Sequence, residues 1–288
     1  MNKKKWFQTA WTVIYVSALS ASILGCAENE AINQPSPSAA AQVPATPTVA
    51  EPANAEDILM RMAEFLANTQ KLKVNMDSRY DVMQASGQKI EFEENRKVTI
   101  SRPNGLRVEL EESDGQKHLI LYDGKDITVF SPTHGVYAQT TKPGGLDEAV
   151  MYFLRDLHMR LPLAAMILSR FPEEVKNRTQ ALDYVEKTSI YGKPAHHLAG
   201  RTETVDYQVW IAEGEQPLPL RVVLTYRLED GQPQFRARFT DWNLSPQIQG
   251  SQFTFLPPEG VHKIAFLAQL PNVAPEGVAT PAQKGDPK

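Results

Sequence analysis

Residues 71–82 read KLKVNMDSRYDV, and their alternation decides the fold class. Apolar side chains occupy five of the even positions, whereas lysine, asparagine, aspartate and arginine occupy the odd ones. Because successive side chains of a β-strand point to opposite faces, this pattern predicts a strand with one buried and one solvated face. Strands of this kind are typical of an antiparallel sheet that packs on one side only.

The same alternation returns further along the chain, in segments 106–110, 204–211, 220–228 and 235–239. Dipeptides and tripeptides that favour turns separate the alternating runs, at Ser86-Gly87, Pro103-Asn104-Gly105, Asp114-Gly115, Asp123-Gly124, Gly192-Lys193-Pro194 and Asp230-Gly231. Short strands joined by such turns predict a long antiparallel meander. The expected fold class is therefore mainly β, with a minor helical part.

Two segments carry helical rather than strand periodicity. Asn54 is a good N-cap, and the residues after it place apolar side chains on one helical face, at Ile58, Leu59, Met62, Phe65 and Leu66. Residues 146–168 are apolar around more than one stripe and contain Pro162, which predicts two short consecutive helices. Helices of this kind need an apolar surface to cover, and the buried face of the meander supplies one.

The apolar helices and the apolar strand face have two interpretations. They form an ordinary filled core, or part of their shared surface lines a cavity for a hydrophobic ligand. On the second interpretation the predicted lining comes from the helical segment and two late strands, and consists of Phe153, Leu154, Leu157, Val209, Val222, Leu224 and Tyr226.

The N-terminus has the layout of an export signal. Lys3, Lys4 and Lys5 are followed by an apolar stretch over residues 11–24, then by Gly25 and the single cysteine, Cys26. This order resembles the bacterial lipobox, which implies that residues 1–25 are a signal peptide and that Cys26 receives acyl groups such as palmitate. An uncleaved membrane anchor is the alternative. Ala27 resembles a signal for sorting to the periplasmic face of the outer membrane.

Composition divides the rest of the chain. Residues 26–53 are rich in proline and alanine, which predicts an extended linker between the lipid and the folded part. Residues 271–288 have a similar composition and are expected to form a disordered tail. One domain remains, over residues 54–270.

Charge and cysteine content argue against a nucleic-acid-binding protein and against a disulfide-bonded fold. The formal net charge is −4 and becomes −7 once the three lysines of the signal are removed. An acidic chain without a lysine or arginine stripe is not expected to bind nucleic acid. With one cysteine, no internal disulfide can form.

No grouping of residues predicts catalysis, a metal or a cofactor. His196 and His197 are adjacent in a predicted strand, so their side chains should point to opposite faces and cannot chelate one metal together. The best candidates for a site assembled from distant residues are these two histidines with Glu203 or Asp206. We expect a protein that is not an enzyme.

Several short motifs in a fixed order carry a family resemblance. They are Arg102-Pro103-Asn104-Gly105-Leu106-Arg107, the hairpin at 191–198, Trp210-Ile211 followed by Pro219-Leu220-Arg221, and the closing run 253–260. Together they resemble predicted periplasmic proteins related to the LolA/LolB lipoprotein carriers. The resemblance implies an incomplete antiparallel β-barrel, or half-barrel, whose apolar face is covered by short helices and accommodates acyl chains.

These observations leave two hypotheses of different classes. The first is a membrane-tethered envelope protein that binds a lipid, an acyl chain or an acylated protein, as carrier or sensor. The second is a regulatory or protein-interaction module of the same fold without a free ligand; a hydrolase is a distant third. A hollow apolar face favours the first, and a filled one favours the second. The sequence leaves the oligomeric state open.

Overall fold

The computed structural model describes residues 54–159 and 161–266. The strands are β1 (Lys71–Met83), β2 (Lys89–Ser101), β3 (Gly105–Glu112), β4 (Lys117–Tyr122), β5 (Asp126–Ser131), β6 (Val136–Thr141), β7 (Ala181–Ile190), β8 (Lys193–Arg201), β9 (Val205–Ala212), β10 (Pro219–Tyr226), β11 (Gln234–Asn243) and β12 (His262–Ile264). The helices are α1 (Ala55–Asn68), α2 (Leu146–Arg155) and α3 (Phe171–Arg178), with the 3₁₀ helices η1 (Ala164–Ile167) and η2 (Gly250–Gln252).

All twelve strands belong to one open sheet, in the order β12-β6-β5-β4-β3-β2-β1-β11-β10-β9-β8-β7. Neighbours are antiparallel except for β12, which adds to β6 in parallel. The chain therefore runs as two meanders, β1–β6 and β7–β11, which join where β1 pairs with β11. The ends of the sheet, β12 and β7, do not pair with each other, so the barrel is incomplete.

One face of this sheet, here called the inner face, carries the core. Its side chains line up across strands, so that Val74, Val98, Val108 and Ile120 are successive cross-strand partners. On the other side of β1, Met76 faces Phe239 of β11 in the same way. Rows of apolar side chains of this kind remove a continuous apolar surface from water once helices cover them.

Helix α1 covers one part of the inner face. Its first turn is capped by Asn54, whose side-chain oxygen accepts a hydrogen bond of 3.0 Å from the backbone N–H of Glu56. One stripe of its surface is buried, and consists of Ile58, Leu59, Met62, Ala63, Leu66 and Ala67. The helix packs against α3 and η1 and reaches strands β7, β8 and β9.

A second helical segment covers the neighbouring strands. We call residues 146–159 and 161–168, which include α2 and η1, the lid. Leu146, Ala149, Val150 and Phe153 are the buried side of α2, and they belong to the same apolar cluster as the strand residues. The start of α2 is tied to the sheet because the backbone N–H of Leu146 donates a 2.7 Å hydrogen bond to the carbonyl of Pro103.

The architecture confirms the predicted class, a mainly β half-barrel with short helices on its apolar face. The predicted strand at 71–82 is β1, and the predicted helix after Asn54 is α1. Three details differ. The strand expected to reach Leu228 ends at Tyr226, the second half of the lid is a 3₁₀ turn rather than an α-helix, and α3 lacked a sequence prediction. Helix α3 buries chiefly Phe171, so apolar periodicity is nearly absent from it.

Within the described residues, no helix is both long enough and apolar enough to cross a membrane. The predicted signal peptide (1–25), the lipid-attached linker (26–53) and the tail (271–288) lie outside the residues that the structure describes. Their assignments therefore stay predictions.

Candidate functional site

A narrow apolar cavity lies between the inner face and the lid. Its volume is about 60 Å³, the space of roughly two water molecules. Side chains from β1, β2, β3, β11, α1 and the lid line it, among them Val74, Met76, Val98, Leu163, Met166, Phe239 and Trp242. Arg96 is the one charged residue in this lining.

Two arginines of β2 and its end fasten the lid to the sheet. Arg102 donates from Nη2 to the carbonyl of Ile167 at 2.7 Å, and from Nε to the carbonyl of Thr69 at 3.1 Å. A single guanidinium thus ties the end of η1 to the end of α1. Arg96 donates from Nη1 to the carbonyl of Pro162, at the longer distance of 3.4 Å. Burial lowers the pKa of Arg102, but arginine is basic enough to remain charged.

Three polar side chains interrupt the apolar inner face beside the cavity. Ser78, Glu94 and Arg96 have exposed fractions of only 2%, 7% and 5%. The Arg96 guanidinium forms an ion pair with the Glu94 carboxylate and lies over the Phe235 ring, 5.6 Å from its centroid. Within the described ranges, Ser78 Oγ and Arg96 Nε have no hydrogen-bond partner. We call these three residues the polar cluster.

Burial raises the pKa of Glu94 above its ordinary value, against the opposing attraction of Arg96. The proton on Glu94 is therefore held more tightly in the folded protein than in the unfolded chain. This contribution to stability is complete below about pH 4.5, the ordinary value, and is lost as the pH rises through the raised one.

We therefore expect Glu94→Gln to change the pH dependence of stability. The free energy of unfolding of the wild type should fall relative to that of the variant as the pH rises from about 4 to about 7. Urea unfolding across this range measures the difference. Two curves that stay parallel would show that Glu94 has the same pKa in both states.

The seven residues predicted to line a ligand cavity all join the main apolar cluster, but none lines the cavity just described. Phe153 and Leu157 are buried in the lid, and Leu154 is half-buried on its flank. Val209 and Val222 are cross-strand partners on the inner face, and the other two lie further along β10, Leu224 and Tyr226. The structure thus places these seven on β9, β10 and the lid, beside the strands that enclose the cavity.

The two adjacent histidines lie on opposite faces, as the strand prediction requires. His196 Nδ1 lies 3.2 Å from the Tyr184 hydroxyl on the inner face. On the outer face His197 stacks on Trp210 with ring centroids 4.0 Å apart, and its Nε2 lies 3.1 Å from the amide oxygen of Gln208.

The carboxylates that were candidates for pairing with these histidines lie elsewhere or have other partners. Asp206 accepts hydrogen bonds of 2.7 and 2.9 Å from Arg201. The carboxylate that approaches His197 is that of Glu186, 3.7 Å from Nδ1, on the outer face. Among the described residues there is no group of three or more histidine, cysteine, aspartate and glutamate side chains placed to hold a metal ion.

A larger depression lies outside the lid and has a different character. It has a volume of about 380 Å³, is open to solvent, and lies between α1 and the loop before β10. Its lining includes Arg61, Glu64, Asn68 and Glu215. A wet, charged surface of this kind does not suit an acyl chain, whose transfer from water is favourable only into apolar surroundings.

Sequence reasoning missed Arg96 and Arg102 as site residues. Arg102 appeared only within a motif of the family resemblance. Arg96 had a local signal, because it occupies the same alternate positions of β2 as Val98 and Ile100, where an apolar residue is expected. A charged residue at one of the alternate strand positions that otherwise carry apolar side chains indicates a buried polar group.

Several solved structures are similar to this one at low sequence identity. A LolA superfamily protein from Nitrosomonas europaea is 14% identical, over 70% of this chain and 97% of that one, with a TM-score of 0.35. The lipoprotein LppX of Mycobacterium tuberculosis is 12% identical, over 69% and 100%, with a TM-score of 0.38. A chain in the complex structure of Pseudomonas aeruginosa MucA/MucB is 20% identical, over 70% of this chain and 61% of that one, with a TM-score of 0.36.

No curated protein matches the chain in sequence. The family model described as "Predicted periplasmic protein (DUF2092)" matches residues 55–267. This match contains every helix and strand of the described structure, from the first residue of α1 to the end of β12. The chain therefore belongs to the DUF2092 family of predicted periplasmic proteins.

Proposed function

We propose that this protein is a lipid-anchored protein of the cell envelope that binds a hydrophobic ligand between the inner face of its half-barrel and the lid. The ligand is a lipid, an acyl chain or an acylated protein, and the protein acts as its carrier or sensor. The observation that carries the proposal is an apolar sheet face covered by an apolar lid that hydrogen bonds from two arginines hold in place.

The lid is attached by few directional contacts. Arg96 and Arg102 donate to the backbone carbonyls of residues 162 and 167. The backbone N–H of Leu146 donates to the carbonyl of Pro103, and much of the remaining contact is apolar packing. Apolar packing has no directional requirement, so an acyl chain can replace the lid on the inner face with little change in the kind of contact. Each methylene removed from water contributes about 0.8 kcal/mol to binding.

The size of the cavity indicates that the lid must move for a ligand to enter. A volume of about 60 Å³ is well below the roughly 300 Å³ at which ordinary ligand pockets begin. On this proposal the structure is the closed state. The lid contains two residues other than glycine in the left-handed region, His158 (φ 52°) and Leu163 (φ 65°). Such conformations cost about 1 kcal/mol or more each, and this strain would be relieved if the lid rearranged on opening.

The anchor and its location belong to the same proposal. Acylation of Cys26 would hold the domain near a membrane, and the linker at 26–53 would set how far it can reach. Membership of a periplasmic family supports an envelope location. The periplasmic face of the outer membrane is the location that Ala27 after the cysteine favours.

Releasing the lid tests this function. We expect Arg102→Ala to increase binding of a neutral hydrophobic dye severalfold, because the ends of η1 and α1 lose their shared hydrogen-bond donor. The far-ultraviolet circular dichroism should stay that of the sheet. Dye fluorescence on residues 27–288, which contain every described element, is the measurement, together with native mass spectrometry for co-purifying lipid.

Arg107→Ala is the matched control. Arg107 also donates to a backbone carbonyl, that of Gln252 at 3.2 Å, but it lies on the outer face of β3. This variant should bind the dye as the wild type does. If neither the wild type nor Arg102→Ala binds dye or carries lipid, the binding function is wrong.

A second function is favoured by the same small cavity. An inner face that is nearly filled suits a protein-interaction or regulatory module that recognises a partner through its outer surface. Native mass spectrometry separates the two, because a module of this type would purify without lipid and Arg102→Ala would lower its stability without creating a binding site.

A further inference from the structure

The polar cluster lies where a ligand's head would meet the sheet if the proposed function holds. On β1, Ser78 follows Met76 on the inner face, and it is the cross-strand partner of Glu94. Arg96 is the partner of Met76, so it is diagonal to Ser78. Met76 and Arg96 both line the apolar cavity. The cluster therefore continues the cavity along the same face, and an apolar chain in the cavity would bring its polar end to these residues.

Three polar atoms of the cluster make no hydrogen bond among the described residues, and one of them, Glu94 Oε1, is held in the ion pair with Arg96. Ser78 Oγ and Arg96 Nε make no hydrogen bond within the described part of the chain, although both residues are more than nine-tenths buried. A serine hydroxyl can donate and accept, whereas Arg96 Nε–H can only donate. Leaving such groups unpaired in an apolar interior is unfavourable. A group that offers a carbonyl oxygen next to a hydroxyl would satisfy both.

The charges around the cluster disfavour an anionic head. The positive charge of Arg96 is already paired with the Glu94 carboxylate. Glu112 is the cross-strand partner of Glu94 on β3, and it adds a second negative charge, with His118 3.4 Å from its carboxylate. A carboxylate or phosphate placed here would meet two carboxylates and one arginine that is already neutralised, so a neutral head fits better.

The lid itself shows what kind of acceptor Arg96 takes. Its Nη1 donates to the carbonyl of Pro162, over 3.4 Å. When the lid moves, this carbonyl leaves, and the ester carbonyl of a ligand, which is also uncharged and has two lone pairs, can accept from Nη1 as well as from Nε. The arginine would then exchange one neutral acceptor for another.

We infer that Ser78 and Arg96 bind the glyceryl ester head of an acylated ligand, with the acyl chain in the adjoining apolar cavity. A glyceryl ester provides a carbonyl oxygen for Arg96 and a hydroxyl or second ester oxygen for Ser78. Two sources share this chemistry, a free acylglycerol and the diacylglyceryl group on the cysteine of an acylated protein. This inference rests on the proposed function.

The test compares ligands of equal chain length on residues 27–288. Monooleoylglycerol, oleate and octadecene displace a neutral dye, and the relative concentrations needed give relative affinities. At neutral pH we expect the wild type to bind monooleoylglycerol at least about tenfold more tightly than oleate. Ser78→Ala should lower the affinity for monooleoylglycerol about fivefold to tenfold, the effect of one lost hydrogen bond. The affinity for octadecene should be unchanged. A diacylglyceryl-cysteine peptide in the same assay distinguishes the two sources.

Ser131→Ala is the matched control, since Ser131 is also a buried serine of the sheet but bonds to His134 at the β5–β6 turn. It should change none of the affinities. Ser78→Ala should keep its thermal midpoint, because it removes a hydroxyl that makes no hydrogen bond to any described residue. The inference is wrong, and the binding function stands, if octadecene binds but oleate binds more tightly than monooleoylglycerol. The same holds if Ser78→Ala does not change the affinity for monooleoylglycerol. If no acyl compound displaces the dye, both are wrong.

Discussion

Cys26→Ala is expected to abolish incorporation of fatty-acid analogues into this protein. The thiol of Cys26 is the only one in the chain, so its loss removes the sole acceptor for a thioether-linked glyceride. Processing at a lipoprotein signal follows acylation, so the precursor should also keep residues 1–25. Metabolic labelling with an alkyne fatty acid and the intact mass of the purified protein measure both effects.

Ser20→Ala, within the apolar part of the same segment, is the control and should label as the wild type does. Labelling that persists in Cys26→Ala would disprove acylation at this position. A wild-type protein that is unlabelled but retains its N-terminus would instead support an uncleaved membrane anchor. If the prediction holds, more than one acyl chain on Cys26 gives stable attachment, because a single chain binds membranes only marginally.

Leu157→Asp is expected to lower the free energy of unfolding by about 4 kcal/mol. Leu157 is 3% exposed and belongs to the main apolar cluster, so the substitution would both leave a void and bury a charge without a partner. A loss of this size approaches the whole stability of many domains. Urea unfolding followed by tryptophan fluorescence measures it.

Leu154→Asp, three residues earlier on the lid, is the matched comparison. Leu154 is half-buried and packs on the edge of the cluster, so water can reach a carboxylate there. We expect Leu154→Asp to lower the free energy of unfolding by about 1 kcal/mol. Its dye binding should fall by more than this loss of stability explains, as the prediction that Leu154 lines the ligand site requires. Equal losses of stability and binding in both variants would instead indicate an ordinary core.

Strand alternation predicted the fold because only one face of the sheet is packed. The apolar residues 72, 74 and 76 are buried in β1 and the odd-numbered residues beside them are not, since helices cover the inner face and water covers the outer one. The turn signals at Gly115 and Gly124 likewise fall between strands, and both glycines have positive φ, as tight turns require. At these places the local sequence was sufficient to predict the strand and the turns.

Strand β2 shows why the site was harder to predict. Its inner-face positions run Ile90, Phe92, Glu94, Arg96 and Val98, so two charges fall in the middle of an apolar series and weaken the alternation. Their burial depends on a partner for each charge, which is a property of the folded sheet. Arg102 was missed for another reason, because a bond to a backbone carbonyl leaves no pattern in the residues that supply the carbonyl.

Because Arg96 and Arg102 bind the lid through main-chain carbonyls, they affect which positions can vary among related proteins. Thr69, Pro162 and Ile167 accept from the arginines through main-chain oxygens that any residue would provide in the same backbone conformation. Substitutions in the lid can therefore change its apolar side chains without removing these hydrogen bonds. On the proposed function, selection could adapt the lid to ligands of different shape, one side chain at a time, while the hydrogen bonds from the two arginines are kept. The constraint falls instead on the two arginine positions, so related chains should diverge more freely in their lids than at residues 96 and 102.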